Sequence, residues 1–290
     1  MARKIDWDAV SKEMDVVNTK KTYERKIDTN LYSPKLKDGS ADVILRFLPT
    51  PEGDLNVPAA IVYGHSFQVN GKWVIAKCPQ SLGKTHKCPI CDEASNRWRS
   101  GNKSQLTKSM FHKFSAYVNV LVIKDLNTPE NNGKVFVMRL GKKLYQKLID
   151  KMNPSPEAVE MGDEPIHIFD YWKGANFKLK IRTVDFINSS GEKEKTVNYD
   201  SSEFASVSKL GTDAEIDVIE SKLIPLKSYI EDDQEPLDKL QTRLDRAFGE
   251  SAPVQGKTSE TVSRPSQTAT LPSAGGEEDQ DAFLKNLLTD

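Results

Sequence analysis

All three cysteines of the chain fall within fourteen residues, at Cys78, Cys88 and Cys91. Cys88-Pro89-Ile90-Cys91 is a C-x2-C turn, the shortest spacing that aims two thiolates at one ion. In a reducing compartment, clustered cysteines favour metal over disulfide. A closed tetrahedral site needs a fourth donor, and two histidines lie nearby, His65 and His86. His86 precedes Cys88 by only two residues, so chelation from there is strained. His65 leads into the turn pair Asn70-Gly71, so its strand can run antiparallel to the one that delivers Cys78. His65 is therefore preferred, and the ligand pattern becomes H-x12-C-x9-C-x2-C. Four protein donors leave no position open for water, so the expected cofactor is one structural Zn2+. The zinc-deaminase pattern is missing: no Glu stands two residues after His65, and there is no Pro-Cys-x-x-Cys.

Cations and rings are interleaved around and beyond these ligands. Arg46 precedes Phe47, Trp73 follows the Asn70-Gly71 turn, and Arg97 and Arg99 bracket Trp98. Phe111, His112 and Lys113 form a mixed cluster with Tyr117 close behind, and Arg139 precedes Lys142 and Lys143. Side chains of these two kinds hold single-stranded nucleic acid, cations along the phosphates and rings against the base faces. Phe47, Phe136 and Phe177 alternate within apolar runs and read as core. The formal net charge of -1 hides a polarised chain: residues 1–149 carry 25 Lys+Arg against 14 Asp+Glu, a net of +11, and the remainder balances it with -12. A basic half of this kind suits a polyanionic partner. No carboxylate cluster at metal-ligand spacing, P-loop or nucleophile motif occurs in the basic half, so a binding protein is expected rather than an enzyme.

The elements that must position these groups are mainly strands. Runs at Asp42–Leu48, Ala59–Val69, Lys72–Ala76, Ala116–Ile123, Lys134–Leu140 and Asn176–Phe186 carry β-branched and aromatic residues bounded by turn signals. Asn70-Gly71 joins two of them as a hairpin. Helical spacing appears over Lys142–Met152 and Glu235–Phe248, where Gly249 is a natural stop. The pattern predicts an α+β, mainly β chain: a small antiparallel barrel with inserts. Residues 1–30 read as a basic arm containing a short amphipathic helix, 31–250 as the binding core, and 251–276 as a flexible linker of Ser, Thr, Pro, Gln and Gly. Residues 277–290 form an acidic tail in which Asp279 and Asp281 accompany an apolar stripe of Phe283, Leu284, Leu287 and Leu288. That stripe reads as a partner-binding peptide that folds on docking. No apolar run is long enough for a membrane span and no signal-peptide pattern opens the chain, so the protein is expected to stay in a reducing cytoplasm.

At this point several phrases join the ligand spacing. Ile44-Leu45-Arg46-Phe47-Leu48-Pro49, Asn70-Gly71-Lys72-Trp73, Asn119 through Asp125, Gly133-Lys134-Val135-Phe136, Gly141-Lys142-Lys143 and Gly174-Ala175-Asn176-Phe177 together resemble the single-stranded DNA-binding (helix-destabilising) proteins of T-even-type bacteriophages. The resemblance covers roughly residues 40–205. It implies an OB-fold core with an inserted zinc subdomain, about 60–115, and cooperative, sequence-nonspecific binding of single-stranded DNA in phage replication, recombination and repair, within the cytoplasm of an infected bacterial host. It implies self-association through the basic arm, here with Arg3, Lys4, Lys20 and Lys21. It also implies contacts of the tail with replication and recombination proteins, among them polymerase, helicase loader, primase and recombination mediator. Phe186 and Tyr199 join the stacking residues mainly on this resemblance. There are departures: the family's basic-plus-hydroxyl motif is reduced to Arg3-Lys4, with Lys20-Lys21-Thr22 further on. Its second copy is only His112-Lys113-Phe114-Ser115, and Met138 and Leu140 stand where the family favours aromatics. The alternative from the residues alone is a zinc-ribbon adaptor that binds duplex nucleic acid or protein in transcription.

Overall fold

The computed structural model describes residues 28–187, 191 and 193–249. The expected arm residues Arg3, Lys4, Lys20 and Lys21 lie outside them, as do the linker and tail, including Asp279, Asp281, Phe283, Leu284, Leu287 and Leu288. The described chain is mixed α+β and mainly sheet. Its strands are β1 (Leu31–Tyr32), β2 (Ser40–Leu48), β3 (Ala60–Val69), β4 (Lys72–Lys77), β5 (Lys113–Asp125), β6 (Val135–Leu140), β7 (Ala175–Ile187), β8 (Lys193–Asn198) and β9 (Glu203–Val207). Its helices are α1 (Pro89–Arg99), α2 (Gln105–Met110), α3 (Lys142–Met152), α4 (Pro156–Glu160), α5 (Asp213–Glu220), α6 (Lys227–Glu231) and α7 (Leu237–Phe248). Among the described residues no helix is long and apolar enough to cross a membrane.

The sheet runs β1-β6-β5-β2-β7-β8, and this path does not return to β1. β5 is its spine. One edge pairs with β6, from Ala116↔Leu140 to Leu121↔Val135. The other edge is shared: β2 takes Asn119 to Asp125 and β3 takes Lys113 to Tyr117. β2 and β3 thus act as one strand interrupted by residues 49–59. That excursion is tied down where the Asp54 carboxylate accepts the backbone N–H groups of Leu226 and Lys227, at 2.7 and 3.0 Å. β7 repeats the arrangement, with β2 on one side and β9 and β8 in turn on the other. The β3–β4 hairpin closes at Asn70 and Gly71, with φ of 49° and 75°, the left-handed pair that the sequence predicts there.

Two buried polar ties hold the layers together. Arg46, expected at a nucleic-acid surface, is 0% exposed. The preceding and following β2 residues alternate across the sheet, and its side chain enters the layer beneath. Its Nη2 donates to the carbonyls of Asp170, Tyr171 and Ser208 at 3.1, 3.3 and 2.9 Å. Arg46 is therefore a structural clamp on the segments flanking β7 and β9, which corrects the expectation. A Cβ at Gly174 would meet the Asp170 carbonyl at 2.5 Å and Arg46 Nη2 at 2.8 Å, so this close approach requires glycine.

The second tie fixes β1. Tyr32 Oη donates to Asp125 at 2.7 Å, and Asp125 also accepts from the backbone N–H groups of Asn127 and Thr128 at 2.9 and 3.0 Å. Burial alone would raise the Asp125 carboxyl, but the donors from Thr128 and Tyr32 outweigh it and hold it below the usual range. Such a group stabilises the fold fully above the unfolded carboxyl value and loses that contribution as pH falls through the depressed folded value. Asp125→Asn should therefore flatten the acid side of the stability profile, read as urea midpoints between about pH 5 and pH 2. Arg46→Ala should cost about 3 kcal/mol, because a fully buried side chain and its three bonds to the flanking segments are lost; an unchanged urea midpoint would show that the clamp carries no weight.

Candidate metal centre and nucleic-acid interface

Four donors converge where the β3–β4 hairpin meets α1. His65 lies in β3 opposite Ala76 of β4, Cys78 follows β4 directly, Cys88 caps α1, and Cys91 sits in its first turn. Pro89 suits that first turn because its missing N–H would be unpaired in any case. The four ligand atoms all lie within 4.8 Å of one another. Tetrahedral bonds of about 2.3 Å to sulfur and 2.0–2.1 Å to nitrogen require edges of roughly 3.5–3.8 Å. The observed edges are 3.7 Å for Cys78 Sγ–Cys91 Sγ, and 3.3 and 3.6 Å from His65 Nε2 to Cys88 Sγ and Cys91 Sγ. His65 Nδ1 lies 2.8 Å from the Met110 carbonyl. A carbonyl only accepts, so Nδ1 carries the proton and Nε2 presents its lone pair to the cluster. The residues fit a four-coordinate ion. His86 is exposed, hydrogen-bonded to Gly83 at 3.2 Å, and stands outside the cluster.

The four groups are strongly coupled electrostatically. Hydrogen bonds from Cys78 and Cys91 push the Cys88 thiol far down, while the crowding of Cys78 and Cys88 pushes Cys91 up. Burial alone would lower the His65 imidazole, yet its bonds to Cys78 and Cys88 raise it to about 9. Three sulfurs and one imidazole nitrogen packed this closely form the donor set that a soft divalent cation takes. The apolar cluster around them is small: Phe67, Val69 and Val74 from the hairpin, Ile90 and Ala94 from α1, and Met110. Leu240, Leu244 and Ala247 of α7 complete it, so this subassembly reaches past the expected 60–115 limits.

The sequence-predicted nucleic-acid residues separate into groups. A cleft of about 440 Å³ brings together Arg139, Lys142, Lys143 and Tyr199, with Tyr32, Ile181 and Val197. Lys142 and Lys143 open α3, whose cap is Gly141 without a side-chain hydrogen bond and whose first turn carries no acid. Lysines there face the positive end of the helix dipole, which is unfavourable unless an anion joins them. Arg139 is exposed and donates through Nε to Ser115 Oγ at 2.9 Å.

A second group is aromatic. Trp98 and Phe111 meet edge to face at 5.9 Å, each 37% exposed, with Lys103 Nζ 5.3 Å from the indole. Arg99 and Lys113 are exposed nearby in sequence, Lys113 donating to the Ser66 carbonyl at 3.2 Å. Trp73 stands apart on the outer face of the hairpin, 62% exposed.

Three expected contacts face inward instead. Arg97 lies 3.9 Å over the Phe248 ring and pairs with Glu93 at 2.6 Å, joining α1 to α7. Tyr117 stacks on Tyr229 at 4.7 Å, which covers one ring face with α6. His112 is half-buried between the Tyr63 ring, at 4.5 Å, and Cys91 Sγ, 3.5 Å from its Nδ1. Each of these side chains found a better partner in the fold than solvent, which local spacing does not report.

The β7–β8 hairpin adds a strand beyond the run predicted to end at Phe186. Opposed residues share a face, so Thr183↔Val197, Asp185↔Lys195 and Ile187↔Lys193 continue the face on which Ile181 and Val197 line the cleft. Phe186, opposite Glu194, is exposed on the other face. Lys193 and Lys195 alternate with Val197 on that face, and no apolar periodicity marks the strand.

Comparison with known proteins agrees with the residue-level resemblance. A family model described as gp32 DNA binding protein like matches residues 37–248. The single-stranded DNA-binding protein of Enterobacteria phage T4 is 36% identical over 173 residues, which cover 59% of this chain and 53% of that protein. Its Enterobacteria phage T2 counterpart is 38% identical over 176 residues, with the same coverage of 59% and 53%. A single-stranded DNA-binding protein of Escherichia phage SV14 is 39% identical over 57 residues, 20% of this chain and 50% of that protein. The chain thus spans about half the length of the curated relatives it matches.

Metal analysis of the purified chain should find one ion per molecule. His65→Ala and Cys88→Ala should bring this near zero, whereas His86→Ala should leave it at one; loss of metal from the His86 variant alone would reverse the ligand assignment.

Proposed function

The chain belongs to the gp32 DNA binding protein like family, and from that membership we propose that it binds single-stranded DNA without sequence preference, as a binding protein rather than an enzyme. The observation that carries this reading is the cleft in which Arg139, Lys142 and Lys143 face Tyr199. It offers phosphate-binding cations and a ring side by side, the combination that grips unpaired strands. Trp98, Phe111 and Trp73 supply further exposed rings, and the hairpin lysines Lys193 and Lys195 supply further cations. Phe186, Lys113 and Arg99 remain peripheral members of this proposed surface.

The His65, Cys78, Cys88 and Cys91 site takes a structural zinc ion on this reading, since a closed donor set of one nitrogen and three sulfurs leaves no place for substrate. The sheet is read as an OB-like barrel. Support comes from β5, which serves two strands along one edge, and from the bulge at Ile123, opposite Ile44 and Leu45, that bends β5. Residues 1–30 are proposed as the self-association arm, 31–250 as the core with its zinc subdomain, 251–276 as a linker and 277–290 as a tail for replication and recombination proteins. Its similarity to single-stranded DNA-binding proteins of phages T4 and T2 supports a role in phage DNA metabolism inside an infected host.

Titration with oligothymidine, followed by intrinsic tryptophan fluorescence, should show quenching and strong salt dependence. Each phosphate contact contributes a slope of about -0.7 in log K against log salt. Lys142→Gln with Lys143→Gln should therefore reduce the slope by roughly 1.4. Preference for duplex over oligothymidine in competition would instead favour a zinc-ribbon adaptor.

A further inference from the structure

Of the four clustered ligands, His65, Cys78 and Cys88 are buried and Cys91 alone is partly exposed. Cys91 is therefore the ligand residue nearest the surface. His112 Nδ1 lies 3.5 Å from it, and the Tyr63 ring, 4.5 Å away, packs against the imidazole. The His112 and His65 rings are 6.2 Å apart, so His112 approaches the cluster from outside. A metal-bound thiolate has only lone pairs to offer, so a nitrogen at hydrogen-bond distance must bring the proton. We propose that His112 is a positioning residue of the metal centre, donating its Nδ1–H to the metal-bound Cys91 thiolate and covering the one partly exposed ligand residue.

The donated hydrogen bond draws charge from the sulfur and makes it a poorer target for protons and competing ions. Loss of such a partner typically costs ten- to a hundredfold in metal affinity. The placement also explains why His112 is withdrawn from the surface while its neighbours Phe111 and Lys113 are exposed. The inference rests on the cluster holding a metal, which metal analysis decides separately.

The test begins with the full, zinc-loaded chain. Long-range 15N–1H correlation of the histidine rings should show His112 protonated at Nδ1 and bare at Nε2; the opposite tautomer overturns the proposal. Two variants then separate hydrogen bonding from packing. His112→Phe keeps a ring against Tyr63 without a donor, and His112→Asn places an amide N–H near the former Nδ1. In cobalt-loaded protein, His112→Phe should move the sulfur-to-metal charge-transfer band to lower energy. Zinc release from that variant to a chromophoric chelator should be about tenfold faster. His112→Asn should stay close to the parent in both. An unmoved band in the Phe variant, or equal changes in both variants, would sink the idea. Failure of either variant to fold leaves the ring tautomer in the parent chain as the deciding measurement.

Discussion

Four side chains from three separate pieces of backbone meet at one point, and much of the molecule's surface chemistry hangs from that meeting. The hairpin supplies His65, the turn after it Cys78, and the first turn of α1 Cys88 and Cys91. An apolar cluster that reaches from the hairpin through α1 to α7 packs around them, and its burial contributes about 25 cal/mol per Å² against the entropy of every ordered residue. On the proposed reading, coordination adds to that cohesion, because ion binding in such a module is itself folding free energy. Trp98 on α1, Phe111 after α2 and Trp73 on the hairpin are therefore all carried by elements that the cluster joins.

The cleft is built on a different principle. It lies beyond the hairpin, where β1, the end of β6, the start of α3 and the β7–β8 hairpin come together. Its rigidity comes from the sheet and from the tie between Tyr32 and Asp125, and no metal ligand lines it. Its electrostatics are locally unfavourable: two lysines at an uncapped helix start and an exposed arginine one turn of chain away. Local conflict of this kind is expected where a fold keeps a place for an anion. The proposed function thus draws on two units, one braced by coordination and one braced by strand pairing.

The legible part of the sequence was that whose signal is local. Asn70-Gly71 marked its turn, the β-branched runs marked β2, β5, β6 and β7, and Leu144 and Leu148 marked the buried face of α3. The ligand set could be read because metal geometry limits spacing severely. What escaped depended on contacts far away in sequence. Arg46 looks like any basic residue beside an aromatic until Asp170, Tyr171 and Ser208 are brought to it across more than a hundred residues. Arg97 and Tyr117 were claimed by α7 and α6 in the same way. β8, with the polar sequence Lys193-Glu194-Lys195-Thr196-Val197-Asn198, has no apolar face to advertise it, and α1 was hidden beneath its own cysteines.

Phe111 has a peculiar address. The residue before it gives its carbonyl to His65, and the residue after it reaches Cys91, so both neighbours of this exposed ring are moored to the same cluster. Fixing one residue's backbone costs roughly 1–2 kcal/mol of conformational entropy, and at Phe111 that cost is met during folding. A base that settles on this ring encounters a backbone already at rest. If a base stacked there, only the side chain would remain to be stilled, and more of the stacking energy would go to holding the strand.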